Sequence, residues 1–201
     1  LDLCCGTGTL TGIMGRRGYE MIAADASEDM LMQARDKCPQ LAVPPLWLCQ
    51  EAAQLDLYGT VDAAYCSLDG MDYISPEELP EVFRRLRLFI RPEGLFIFDV
   101  RSPESFRALD GQVFVDETED LLCLWRADFD GDEGVMRYGM DIFSREGELW
   151  RRDGEEHVEY AHEPETLMSL LEKAGFTDCT LRSDGPQSGD GRLFITAVRG
   201  K

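Results

Sequence analysis

The segment Asp2-Leu3-Cys4-Cys5-Gly6-Thr7-Gly8-Thr9 puts an acid inside a short apolar run and two glycines where a strand would turn into a helix. A side chain at such a turn would block close approach of a ligand to the backbone, so glycine is needed there. Gly12 falls one position too late for the Gly-x-Gly-x-x-Gly dinucleotide fingerprint, so a nicotinamide or flavin cofactor fits less well. Asp25 follows Gly6 by 19 residues, at the end of a second apolar run. Nucleotide-binding α/β folds place an acid at this position to receive both ribose hydroxyls, through charge-assisted bonds of roughly 1.5 to 3 kcal/mol each. By spacing alone, NAD and S-adenosylmethionine are served equally. An acid two residues before an N-cap serine, here Ser27, is also a common helix start.

Farther along, His157 lies in Glu155-Glu156-His157-Val158-Glu159-Tyr160 and is the better base candidate of the two histidines. It could equally be a structural histidine held by Glu156 or Glu159. Tyr73 and Asp69 could touch an acceptor, although a turn after a strand commonly contains Asp and Gly for backbone reasons.

These residues need a scaffold, and the first half of the chain supplies a βαβ pattern, the signature of a parallel sheet covered by helices. Strands are expected at Leu1 to Cys4, Met21 to Ala24, Leu46 to Cys49, Val61 to Cys66 and Leu95 to Val100. Leu10, Ile13 and Met14 mark a short first helix that Gly18 ends, and Ser27 caps a second that Pro39 stops. Ser75-Pro76-Glu77-Glu78 reads as an N-cap serine, a first-turn proline and a capping-box glutamate, ahead of an apolar face at Leu79, Val82, Phe83, Leu86 and Ile90. From about 111 to 160 the apolar period becomes two, as in Met136, Tyr138, Met140 and Ile142, which predicts an antiparallel meander inserted before the last helix. Pro164 opens that helix and Gly175 stops it; strands at Cys179 to Arg182 and Leu193 to Val198 follow, joined by the loop from Asp184 to Gly189.

Several of these segments resemble the class I S-adenosylmethionine-dependent methyltransferases, in particular their small-molecule branch. Leu1-Asp2-Leu3-Cys4-Cys5-Gly6-Thr7-Gly8 is similar to that family's first motif, and Ala24-Asp25-Ala26-Ser27-Glu28-Asp29-Met30-Leu31 to its ribose-binding turn. Gln50-Glu51-Ala52 resembles the turn framing the adenine, Val61 to Asp69 the fourth strand, Arg91 to Asp99 the turn into the fifth, and Glu172 to Phe176 the entry to the sixth. The resemblance spans the chain. It implies a Rossmann-like α/β fold, one domain over residues 1–201, with a mostly parallel seven-stranded sheet, an antiparallel last strand and the inserted meander at about 111–160.

It also implies a cofactor site. Asp2, Gly6, Thr7 and Gly8 would form the glycine turn; Asp25, Ala26 and Met30 would hold the ribose side. Glu51 and Ala52 would meet the adenine, Glu51 being the match for the acid that bonds its amino group. Ser67 and Leu68 would face the methionine end. Relatives carry a similar Glu-x-His run, which supports His157 and, with it, an acceptor space roofed by the meander. The family's N-terminal helices have no counterpart in this sequence, which opens inside a strand without Met, so an N-terminal segment is expected to be missing. Glu93 stands where the family usually has glycine.

The implied reaction is displacement at a sulfonium methyl by nitrogen, oxygen or carbon. Its electrophile is already activated, so alignment is the protein's main task and can supply roughly 7 to 11 kcal/mol. A neutral amine needs no base; an oxygen or carbon acceptor would. An NAD-dependent oxidoreductase and a non-catalytic cofactor-binding protein are the rival readings.

Composition limits the partners. A formal charge of −19 repels phosphate backbones, so nucleic acid is a poor partner, and no apolar run is long enough for a membrane helix. Asp110 to Glu165 holds 8 Asp and 10 Glu against 5 Arg, a solvated face or an electrostatic funnel for a cationic amine. Seven cysteines without a C-x-x-C pair suggest neither a disulfide framework nor a zinc site; Cys49, Cys66 and Cys123 read as small buried hydrophobes in a reducing cytoplasm. The expected partner is a small-molecule methyl acceptor, with oligomeric state open.

Overall fold

The computed structural model describes residues 1–38, 41–185 and 191–201. The helix stop at Pro39 and most of the loop from Asp184 to Gly189 lie outside them. Eleven strands and five α-helices are present among the described residues. In chain order they run β1 (Asp2–Leu3), α1 (Thr9–Arg16), β2 (Ile22–Asp25), α2 (Glu28–Lys37), β3 (Leu46–Cys49), a 3₁₀ turn (Ala52–Gln54), β4 (Val61–Cys66), α3 (Leu79–Phe89), β5 (Ile90–Arg101), α4 (Pro103–Leu109), β6 (Val113–Glu117), β7 (Leu121–Asp130), β8 (Val135–Glu146), β9 (Leu149–Tyr160), α5 (Pro164–Ala174), β10 (Phe176–Arg182) and β11 (Arg192–Arg199).

Seven strands form one sheet in the order β10-β11-β5-β4-β1-β2-β3, with β11 antiparallel to both its neighbours and β1 to β5 parallel. The remaining four form a separate antiparallel meander, β6-β7-β8-β9. Both features match the expected Rossmann-like α/β architecture. One face of β5 is covered by α3, while Leu95 and Ile97 on its other face are exposed. Phe83 of α3 packs on Phe96 and Phe98 of β5, which stack at 4.9 Å, and Phe176 closes the cluster. A second, smaller core joins Phe106 of α4 to Ala127 and Met136 of the meander.

Local signals worked where side chain and backbone could meet. Ser27 Oγ accepts from Met30 N at 3.2 Å and caps α2, and Gly175 ends α5 in the left-handed region. The capping box at Ser75 did not form. Ser75 Oγ donates to the Glu78 carboxylate at 2.8 Å, residues 76–78 make a turn, and α3 begins at Leu79 with Glu78 as its N-cap. Helix α4 adds to the elements expected from the sequence, and Ser102 caps it through Ser105 N at 3.2 Å. Cys49 is exposed at the end of β3, unlike the buried Cys66 and Cys123, because the sheet edge leaves that side uncovered.

Candidate functional site

The C-terminal ends of β1, β2, β4 and β5 adjoin one another, Leu3 lying opposite both Ala24 and Cys66, and Cys66 opposite Phe98. In open α/β sheets this edge is where ligands bind. Its two halves are built differently.

On the β1–β2 side the chain bends through Cys4 (φ 54°) and Gly6 (φ 53°) to Gly8 (φ 69°), the N-cap of α1. Gly8 is wedged: a Cβ there would lie 2.8 Å from both Ala34 and Trp47, so the close packing of α1 onto α2 and β3 requires glycine. Gly6 is the opposite case, since a Cβ would meet no protein atom within 4 Å. Its amide donates to Asp25 Oδ2 at 2.7 Å, and Ser27 N donates to Oδ1 at 2.9 Å. The acid that starts α2 therefore also pins the glycine turn, and each oxygen retains a lone pair. Ala26 and Met30 are exposed beside it. Gln50 N donates to Asp25 O at 3.0 Å, bringing Glu51 and Ala52 to the same edge, and Glu51 is exposed and makes no cap hydrogen bond. Asp2 stands apart. It is 2% exposed and its carboxylate accepts from the Thr11 hydroxyl, so it fastens β1 to α1 from inside, and burial raises its pKa.

On the β4–β5 side the turn after Cys66 holds Leu68 (φ 59°) and Asp69 (φ 68°), consecutive non-glycine residues in the left-handed region. Such backbone persists only where surroundings over-determine it. Here the Asp99 carboxylate accepts from Leu68 N at 3.0 Å and from Asp69 N at 3.5 Å, while Arg192 donates to Asp99 and, at 2.6 Å, to Asp69. Arg101 adds a bond to Asp69 at 3.2 Å, and its amide donates to the buried Asp72 at 2.9 Å. Leu68 is exposed at the rim, with Ser67 partly covered.

The meander closes over this turn. Tyr160 N donates to Asp72 O at 2.7 Å and His162 Nε2 bonds Met71 O at 3.2 Å. Strand parity puts Met136, Tyr138, His157 and Glu159 on one face, Met136 opposite Glu159 and Tyr138 opposite His157, and Met136 is core. His157 is half-buried, edge-on to Tyr73 at 6.2 Å, and 3.3 Å from Glu155. Glu156 and Glu159, the partners weighed from sequence, are not its ion-pair partner. Glu159 is 5% exposed; burial first, then the charge of Asp69, pushes its pKa up to about 7.

The expected residues thus gather at one sheet edge, Gly6 to Gly8, Asp25, Ala26, Met30, Glu51 and Ala52 at one end, Ser67, Leu68, Tyr73 and His157 at the other. Asp72, Asp99, Arg101, Glu159 and Arg192 were not found from sequence. A carboxylate in the apolar run Leu95-Phe96-Ile97-Phe98-Asp99-Val100 was the one available signal.

A family model described as a methyltransferase domain matches residues 1–94. YqeM of Bacillus subtilis (strain 168), which carries a methyltransferase name, is 29% identical over 210 residues, covering 100% of this chain and 84% of the relative. A crystal structure of an S-adenosylmethionine-dependent methyltransferase from Clostridium acetobutylicum ATCC 824 superposes with a TM-score of 0.86 at 25% identity, covering 100% of this chain and 83% of that one. The S-adenosylmethionine-bound amino pentose methyltransferase CalS10 from Micromonospora echinaspora shares the fold, with a TM-score of 0.80, 20% identity and coverage of 98% and 81%. The oxidoreductase and non-catalytic readings give way. The family match, the relative and the superposed structures together support a class I S-adenosylmethionine-dependent methyltransferase, with S-adenosylmethionine as its methyl donor.

Proposed function

We propose that the enzyme methylates a small-molecule acceptor by direct displacement, with the donor laid along the strand edge from β3 to β4 and the acceptor beneath the meander. The observation that carries this reading is Asp25, whose carboxylate anchors the Gly6 amide one strand away while Gly6 leaves open space above the turn. A nucleoside fits there as it would not over a side chain. Asp25 receives the ribose hydroxyls; Gly6, Thr7 and Gly8 present backbone; Ala26 and Met30 flank the sugar and base; Glu51 and Ala52 meet the adenine. Ser67 and Leu68 border the methionine end. Asp2 acts as a positioning residue through Thr11.

When bound, the donor supplies a methyl group already activated by positively charged sulfur. Protein residues supply alignment and exclusion of water, the meander face carrying Tyr138 and His157 serving as roof. Tyr73 and His157 border the acceptor. All seven cysteines are free, which supports action in a reducing cytoplasm; among the described residues no helix is long and apolar enough to cross a membrane.

Calorimetry with S-adenosylhomocysteine tests the donor site. Asp25→Ala removes the ribose acceptor and releases Gly6, and should weaken binding roughly 10- to 100-fold, as loss of a charge-assisted hydrogen bond implies. Unchanged affinity would put the nucleoside elsewhere.

A further inference from the structure

Glu159 has no role in the reading above, yet it occupies an unusual position. Its carboxylate is buried on the meander face turned toward the β4 turn, opposite core residue Met136, and Oε2 has no hydrogen-bond partner. Tyr73, half exposed at the edge of the acceptor space, is a neighbour of that carboxylate and favours its charged form. A buried acid with an unpartnered oxygen thus has a half-exposed phenol as its neighbour toward the solvent side of the site.

We propose that Glu159 accepts a proton from a cationic amine acceptor through the Tyr73 hydroxyl, so that the substrate class is a small molecule bearing a basic amine. The inference rests on the proposed placement of donor and acceptor. Charge balance favours such a guest. Facing Glu159 are Asp69 and Asp72 on the β4 turn, Arg101 and Arg192 from β5 and β11, and Tyr138 from β8. Both arginines are committed to the acids, Arg192 to Asp69 and Asp99, Arg101 to Asp69. With Glu159 ionised, four carboxylates stand against two guanidiniums, and an ammonium narrows that excess. Asp72 adds a second unpartnered buried oxygen, Oδ1.

The proton transfer balances. Tyr73 Oη takes a proton from the ammonium as its own hydrogen passes to Glu159, so the phenol ends unchanged and one carboxylate O–H has formed where one N–H was broken. The nitrogen keeps that electron pair and uses it for the new N–C bond, while the pair of the broken S–C bond stays on sulfur. A base that titrates near neutrality suits this exchange, and Tyr73, its own pKa raised by burial and by Glu159, stays protonated to relay it.

The test needs no natural acceptor. The whole chain loaded with S-adenosylhomocysteine is titrated calorimetrically with cyclohexylamine and with cyclohexanol, a neutral probe of similar shape, between pH 6 and 9. The amine should bind at least about tenfold tighter at pH 8, and the advantage should fade as pH drops through about 7. E159Q should abolish both the advantage and its pH dependence while S-adenosylhomocysteine still binds. Y73F, at an exposed position, should move the pH midpoint upward, because the phenol stabilises the carboxylate. Equal binding of the two probes, binding of neither, an advantage surviving in E159Q, or an unmoved midpoint in Y73F would each overturn the inference. Failure of the wild type to bind S-adenosylhomocysteine would instead overturn the donor site, and this inference with it.

Discussion

The two halves of the sheet edge solve similar problems by different physics. At the β1–β2 half, a bend in the chain is fixed by residues close in sequence and by backbone: Gly6 and Gly8 take positive φ, Gly8 N donates to Cys5 O, and one carboxylate 19 residues away holds the turn. At the β4–β5 half, two non-glycine residues are held in the same backbone region by a buried charge network whose members lie 30 to 123 positions apart. The first arrangement is held mainly by backbone and by close packing of the turn on α2 and β3. The second ties the β4 turn to β5, β11 and the meander together.

That contrast can be broken most directly at Arg192, whose side chain is 6% exposed between Asp69 and Asp99. Arg192→Ala leaves the Asp99 carboxylate without its cation and Asp69 with Arg101 alone, and should cost roughly 3 to 5 kcal/mol of stability in denaturant unfolding. A loss under about 1 kcal/mol would show that the Leu68–Asp69 turn needs no such network.

Next in size is a pH effect confined to the acceptor side. Glu159 in the folded protein titrates near about 7 against an ordinary value of 4.5, so the native state binds its proton more tightly than the unfolded chain. The native state is then stabilised at low pH, and stability falls as pH rises from about 4.5 to about 7, by roughly 3 kcal/mol in all. Comparing unfolding of the wild type and E159Q across that window isolates this contribution. The gap between the two proteins should change in favour of E159Q as pH rises; a constant gap would mean that the acid is already ionised in the fold.

The smallest expected effect separates the two glycines of the donor turn. Gly6→Ala and Gly8→Ala share the cost of a left-handed alanine, about 1 to 2 kcal/mol, but only Gly8 also meets Ala34 and Trp47. Gly8→Ala should therefore be less stable than Gly6→Ala by roughly 1 to 3 kcal/mol, whereas Gly6→Ala should show the larger loss of S-adenosylhomocysteine binding relative to its stability loss. Equal melting temperatures would contradict the wedge at Gly8.

The tripeptide Ser-Pro-Glu occurs at both 75 and 102, and its two fates mark how far local reading goes. At Ser102 the hydroxyl oxygen accepts from Ser105 N and a helix begins at once; at Ser75 the hydroxyl turns to Glu78 and the helix waits until Leu79. Residue types alone offered both outcomes, and the second followed because the turn from 67 to 74 is held by distant partners, the Asp72 carbonyl by Tyr160 and the Met71 carbonyl by His162.

The sequence by itself determined the alternation of strands and helices, the glycine bend, the acid at Asp25 and the change of period that marks the meander. These depend on periodicity, capping and φ preference, which act over a few residues. Only the tertiary structure decided which side of the meander faces the sheet, and with it that Glu159 is buried while His157 pairs with Glu155. It also decided that Arg192 would meet Asp69 and Asp99. Burial sets the worth of a charge, and burial belongs to the packed chain; no spacing in the sequence encodes that a carboxylate at 99 and a guanidinium at 192 will be taken out of water together.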